Sequence, residues 1–202
     1  MRQRSRVLAA AFVTFLGLTA AHAATFVSTL SGAAEVPSAV TAGTGSTTIT
    51  FDPGAHTLRV VSAFSGLTGL TTASHIHCCV APGSNVGVAT TTPSFVGFPL
   101  GVTSGSMDQT YNTLSAATYN PAFVNASGGT IAQAEAALFS GMLGGQTYLN
   151  VHTTTFPGGE IRGLLLAAPS GLLIPTLSQS VLGILALLLA AVGFVVLRRR
   201  RA

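Results

Sequence analysis

The sequence predicts an all-β fold, a Greek-key-like β-sandwich or barrel with one short helix, framed by an N-terminal signal helix and a C-terminal transmembrane helix. Three observations predict it. The middle of the chain, residues 24–168, is rich in Thr, Ser, Gly and Val and poor in charge. Its apolar residues come in short alternating or β-branched runs separated by Gly/Pro turns, the pattern of many short strands around one core. The two ends carry unbroken apolar runs flanked by arginine, which belong to targeting and not to the fold.

The elements follow in order. "TFVSTLSG", starting at Thr25, reads as a first strand, and "GSTTITFDPGAHTLRVVSAF" reads as a hairpin. Asp52-Pro53-Gly54 supplies its turn, with Pro53 fixing φ and Gly54 expected to take φ > 0. "TASHIHC" is a further strand, "TTTPSFVGFPLGV" a Pro/Gly-punctuated loop, and "GVTSGSMDQTY" another strand. "TIAQAEAALFSGMLGG" changes period: Ile131, Ala134, Leu138 and Met142 fall on one helical face. Thr130 and Gln133 sit at capping-box spacing and Gly144-Gly145 ends the helix. "QTYLNVHTTTFPGGEIRGLLL" reads as a last hairpin closed by Pro157-Gly158-Gly159.

The N-terminus has Arg2, Arg4 and Arg6, an apolar stretch from Val7 to Ala20, and Ala21-His22-Ala23 in the small-x-small pattern. Residues 1–23 are therefore expected to be a signal peptide, read by the secretion machinery and cut by signal peptidase. At the other end Val181–Leu197 is an uncharged apolar run, ~25 Å long as a helix and near the thickness of a bilayer core. Arg198, Arg199, Arg200 and Arg201 follow as a cytoplasmic stop, placing the preceding domain outside. The expected organisation is thus signal peptide 1–23, domain 24–168, linker and sorting segment 169–180, transmembrane helix 181–197 and basic tail 198–202.

This layout changes the meaning of the charge. Seven of the nine basic residues lie in the terminal segments, and between them only Arg59 and Arg162 face Glu35, Asp52, Asp108, Glu135 and Glu160. The domain is mildly acidic and offers no basic footprint for nucleic acid. "GTGSTTITF" lacks the lysine of a phosphate loop and leads into a strand, and the scattered carboxylates form no triad or acid–base pair. No catalytic residue is expected.

The residue types that carry chemistry are concentrated in "SHIHCCV", Ser74 to Val80. On a strand His75 and His77 share one face. In "YLNVH", Tyr148, Asn150 and His152 share a face, and beyond the turn Glu160 and Arg162 do. If these strands are neighbours, His75, His77 and His152 would converge, with Glu160 in reach as a further ligand. Two histidines at i, i+2 and a third from another strand suit copper or zinc. The structural alternative gives the histidines ordinary hydrogen bonds and makes Glu160 and Arg162 a cross-strand pair. Cys78 and Cys79, the only cysteines, have three readings: a vicinal disulfide, which an oxidising compartment favours; soft ligation of Cu(I) by Cys79; or two reduced thiols.

Two resemblances complete the reading. "LSGAAEVPSAVTAGTGSTTITFD", "ASHIHC" and "YLNVHTTTFPGGEIRGLL" together resemble the CHRD domain, which implies an extracellular β domain without a defined catalytic mechanism. Ile174-Pro175-Thr176-Leu177-Ser178, with the apolar span and the arginines, resembles the IPTL-CTERM variant of the PEP-CTERM sorting signals. That resemblance implies a bacterial protein processed by an exosortase-type membrane protease, exported and held at the membrane or cell surface. Two functions are therefore in view. One is a non-enzymatic binding or matrix module. The other is a small Cu/Zn-binding protein, or a metalloenzyme similar to copper/zinc superoxide dismutase, whose full ligand set this chain does not show.

Overall fold

The computed structural model describes residues 22–169. The calls on the signal peptide, Ile174–Leu177, the span at Val181–Leu197 and Arg198–Arg201 thus fall on residues outside the described ones, apart from His22 and Ala23. Among the described residues no helix is long and apolar enough to cross a membrane.

Eight strands, β1 (Ala24–Ser31), β2 (Thr44–Asp52), β3 (Thr57–Ser65), β4 (Thr71–Cys78), β5 (Gly105–Asn112), β6 (Thr147–Thr153), β7 (Ile161–Leu164) and β8 (Leu166–Ala167), form one antiparallel sheet. Its order is β4-β6-β7-β1-β2-β3-β5, with β8 also pairing β1, and the sheet curls into a half-barrel. Alternation fills the concave side. Phe26 and Leu30 of β1, Ile49 and Phe51 of β2, Leu58, Val60 and Phe64 of β3, Ile76 of β4, and Leu149 and Val151 of β6 are all buried. Each such side chain contributes ~1.5–3 kcal/mol by leaving water. The intervening threonines of β2 point mostly outward, where β-branched polar residues suit a pleated surface.

Two helices lie between β5 and β6. The short α1 (Pro121–Ala126) has proline in its first turn, and Asn120 caps it by accepting from the Ala122 N–H at 3.0 Å. The longer α2 (Ile131–Leu143) is the helix that the sequence predicts. Thr130 Oγ1 accepts from the Gln133 N–H at 3.3 Å, and Gly145 takes the left-handed conformation just beyond the end, at φ +64°. Ala134, Leu138 and Met142 press into the core, and Phe139 meets Phe51 edge-on with centroids 5.1 Å apart. The sequence gives no separate warning of α1.

The β2–β3 turn differs from expectation. Asp52 Oδ1 accepts from the Gly54 and Ala55 N–H groups at 2.9 and 3.0 Å, so an Asx turn starts the loop. The left-handed residue is His56, at φ +54°, and not Gly54. The loop is four residues long, and the reversal falls at its end, where His56 Nδ1 meets Glu135 of α2 at 3.0 Å.

The β4 edge matters most for function. The long segment between β4 and β5 folds along it: the Ala89 N–H donates to Ile76 O at 2.9 Å, Phe95 N–H to Ser74 O at 2.9 Å, and Ile76 N–H to Thr90 Oγ1 at 2.9 Å. An exposed edge would invite pairing with another chain. Here a loop covers it and brings its own carbonyls against the side chains of β4.

Candidate metal centre

Strand register decides which side chains meet. His75 pairs with Asn150, His77 with Tyr148, Ala73 with His152, and Asn150 in turn with Arg162. Cross-strand partners share a face, so β4, β6 and β7 present His75, His77, Tyr148, Asn150, His152 and Arg162 together on the side away from Ile76, Leu149 and Val151. This face is not open surface. His75 and His77 are buried and His152 is half-buried.

The three imidazoles offer one ring nitrogen each, all within 4.8 Å of one another. Their other nitrogens are held by the backbone. His75 Nδ1 lies 2.9 Å from Pro93 O, His77 Nδ1 2.6 Å from Val86 O, and His152 Nδ1 2.9 Å from Pro157 O. A carbonyl only accepts, so each Nδ1 carries the hydrogen and each Nε2 of a neutral ring is a bare lone pair. Such a carbonyl behind the ring is the arrangement that orients a metal-binding histidine.

The rings are neutral at ordinary pH. Burial pushes His75 and His77 down to about 4; their backbone hydrogen bonds oppose this, while the neighbouring histidine charge adds to it. Burial also lowers His152, against the pull of Pro157 O. With all three neutral, His75 Nε2 and His152 Nε2 face each other at 2.9 Å as two lone pairs. His77 Nε2 is buried without any hydrogen-bond partner. An unpaired buried polar atom costs ~1–3 kcal/mol. A cation among the three nitrogens would satisfy all of them: tetrahedral bonds of ~2.0 Å put ligand nitrogens ~3.3 Å apart.

A stack of planar groups backs the site. The Tyr148 ring lies parallel to His77 at 4.5 Å, with 8° between planes, and the Arg162 guanidinium carbon sits 4.7 Å from the Tyr148 centroid. Tyr148 Oη accepts from the Val86 N–H at 3.3 Å, which ties the ring to the segment whose carbonyl orients His77. Arg162 Nε donates to Ala34 O and Nη1 to Asn85 Oδ1 at 2.7 Å. Glu35 Oε2 is 3.8 Å from Arg162 Nε. Burial raises the Glu35 carboxyl to about 7, against the pull of Arg162 and of Asn150.

Two expectations need correction. Glu160 is neither near the histidines nor paired with Arg162. β7 begins only at Ile161, so strand alternation does not reach back to Glu160, and Gly159 at φ +129° turns the chain before it. The carboxylate instead enters a closed nest on the other side of β6. Oε1 accepts from Thr41 Oγ1 at 2.6 Å and Thr68 N–H at 2.5 Å; Oε2 accepts from Thr153 Oγ1 at 2.6 Å and Gly69 N–H at 3.2 Å. Burial alone would raise this carboxyl, but these bonds outweigh it and hold the group below its usual range. Arg162 takes Glu35 as its ionic partner.

The structure joins Cys78 to Cys79 as a vicinal disulfide, across a cis peptide bond. Neither sulfur belongs to the histidine cluster, so Cys79 stands outside the site that the Cu(I) reading gave it. The bridge lies against α2 at Gly141, where an added Cβ would come within 2.5 Å of both sulfurs. Sequence reasoning passed over Glu35, Asn85 and the three backbone carbonyls that accept from the histidines. Glu35 registers in the sequence only as one of five acids. A backbone carbonyl leaves no trace in residue type at all.

A family model for the CHRD domain matches residues 26–165, and one for the IPTL-CTERM motif matches residues 174–201. No curated protein and no solved structure matches the chain. The IPTL-CTERM motif is a PEP-CTERM-like signal of the kind recognised by exosortase, and its place behind the domain is that of an exported, surface-sorted protein. The matched region holds strands β2 to β7, the histidine-bearing ones included, and most of β1, and the chain belongs to the CHRD domain family.

Proposed function

We propose that this exported protein is a metal-binding module of the cell surface, holding one copper or zinc ion through Nε2 of His75, His77 and His152. The observation that carries this reading is the pair of Nε2 atoms at 2.9 Å whose Nδ1 partners are both backbone carbonyls. Two neutral imidazoles so oriented repel unless a cation lies between them. Imidazole ligands favour copper and zinc over magnesium or calcium, which want oxygen. Pro93, Val86 and Pro157 supply the carbonyls that hold the rings in their binding tautomer. Tyr148 fixes the plane of His77.

The test uses the full chain, purified in detergent with a histidine-free affinity tag and titrated with Zn(II) and Cu(II). One ion per chain is expected by elemental analysis after dialysis. His77→Ala and His152→Ala should each weaken binding about 100-fold or more, since even groups behind the ligands are worth 10–100-fold. A folded wild-type chain that retains neither metal, or variants that bind as tightly as wild type, would end the proposal.

A further inference from the structure

The charge around the three nitrogens is lopsided. All three ligands are neutral, so a divalent ion would keep its full charge. Its buried charged neighbours on this face are Arg162, stacked through Tyr148 onto His77, and Glu35, which lies beside the guanidinium. The other described carboxylates are engaged elsewhere. Asp52 caps its turn, Asp108 pairs with Arg59 at 2.6 Å, Glu135 meets His56, and Glu160 is closed in its nest. No acidic or sulfur ligand joins the histidine cluster among the described residues. Three ligands leave a four-coordinate ion one open position, and the half-buried His152 is the edge of the cluster nearest solvent.

We infer that the ion proposed above keeps an exchangeable fourth position selective for a small monovalent anion, with Arg162 as the positioning residue that strengthens the preference. A dication with neutral ligands, and a buried guanidinium one aromatic ring away behind Tyr148, leaves an excess of positive charge that one carboxylate does not cancel. In a poorly screened site this charge draws an anion to the vacant position. Ligand exchange there forms one metal–anion bond and releases one bound water, with no redox change. The ligand class is thus a small monovalent anion, approaching from the half-buried His152 side.

Co(II) replaces zinc as a spectroscopic probe in the full chain, and azide is the anion titrated. Cobalt should give d–d bands that depend on His77, and azide should shift them saturably. Arg162→Lys should bind azide much as wild type does, whereas Arg162→Gln should bind it about tenfold more weakly, having lost the nearby charge. Cobalt bands that azide leaves unmoved would overturn the open anion position while the three-histidine site stood. Absence of cobalt bands in folded wild-type protein would overturn the site itself. Equal azide affinity in wild type and both variants would remove Arg162 from the proposal. If Arg162→Gln does not fold, the wild-type titration and Arg162→Lys still decide the first two outcomes.

Discussion

Replacing Glu160 by Gln separates the carboxylate's structural role from a ligand role. Four donors converge on this side chain, two on each oxygen. Hydrogen bonds to an ionised group are worth ~1.5–3 kcal/mol each and neutral ones ~0.5–1.5, so the lost charge alone weakens each bond by about 1 kcal/mol. The amide also places an NH₂ where Oε2 stood. Thr153 can rotate its hydroxyl, but the Gly69 N–H then faces a donor and is left without an acceptor. The combined loss is about 3–5 kcal/mol, allowing for non-additivity. For a domain of this size that lowers Tm by roughly 10–15 °C. The pH dependence has a definite sign. The folded carboxyl titrates below its unfolded value, so its stabilisation is present above the unfolded pKa and is lost as pH falls through the folded one. Thermal melts followed by circular dichroism, on wild type and variant from pH 7 down to pH 3, should therefore show a gap that narrows in acid. Metal stoichiometry should not change. A variant within 1 kcal/mol of wild type at pH 7, or one that folds but has lost its ion, would refute the nest as described.

Two other outcomes are expected. Gly141→Ala should destabilise by ~1–3 kcal/mol in urea unfolding, because its Cβ would meet both disulfide sulfurs at 2.5 Å and α2 must move away from the core; unchanged stability would mean that the helix has slack there. Glu35→Gln should become progressively more stable relative to wild type as pH rises from about 4.5 to 7. The folded carboxyl of Glu35 is raised to about 7, so the folded state binds the extra proton in that window and loses stability as it ionises. A constant difference between the two proteins across that range, measured in parallel melts, would contradict it.

The alternation of Phe26 to Leu30, Ile49 to Phe51 and Leu58 to Phe64 names the strands and their inward faces, because side chains along a strand alternate whatever lies next to it. The helical spacing of Ala134, Leu138 and Met142 names α2 for the same reason. Strand alternation also puts His75 and His77 on one face of their strand, and Tyr148, Asn150 and His152 on one face of theirs. These are local regularities, and local regularities are written in the sequence. What lies beside what is a matter of register between strands some 75 residues apart, and only the folded sheet decides it. Register brings His152 next to His75 and carries Asn150 between His75 and Arg162. The same limit explains Glu160, where alternation was carried one residue past the end of a strand. The carbonyls of Val86, Pro93 and Pro157, which turn three histidines into three aligned lone pairs, belong to peptide units that every residue has. The sequence alone therefore determined the all-β class, the CHRD domain with its sorting motif, and the histidines that share a face of their strands. The tertiary structure decided that they meet, and that their nitrogens point inward, because convergence depends on chain crossings and backbone acceptors that no residue type encodes.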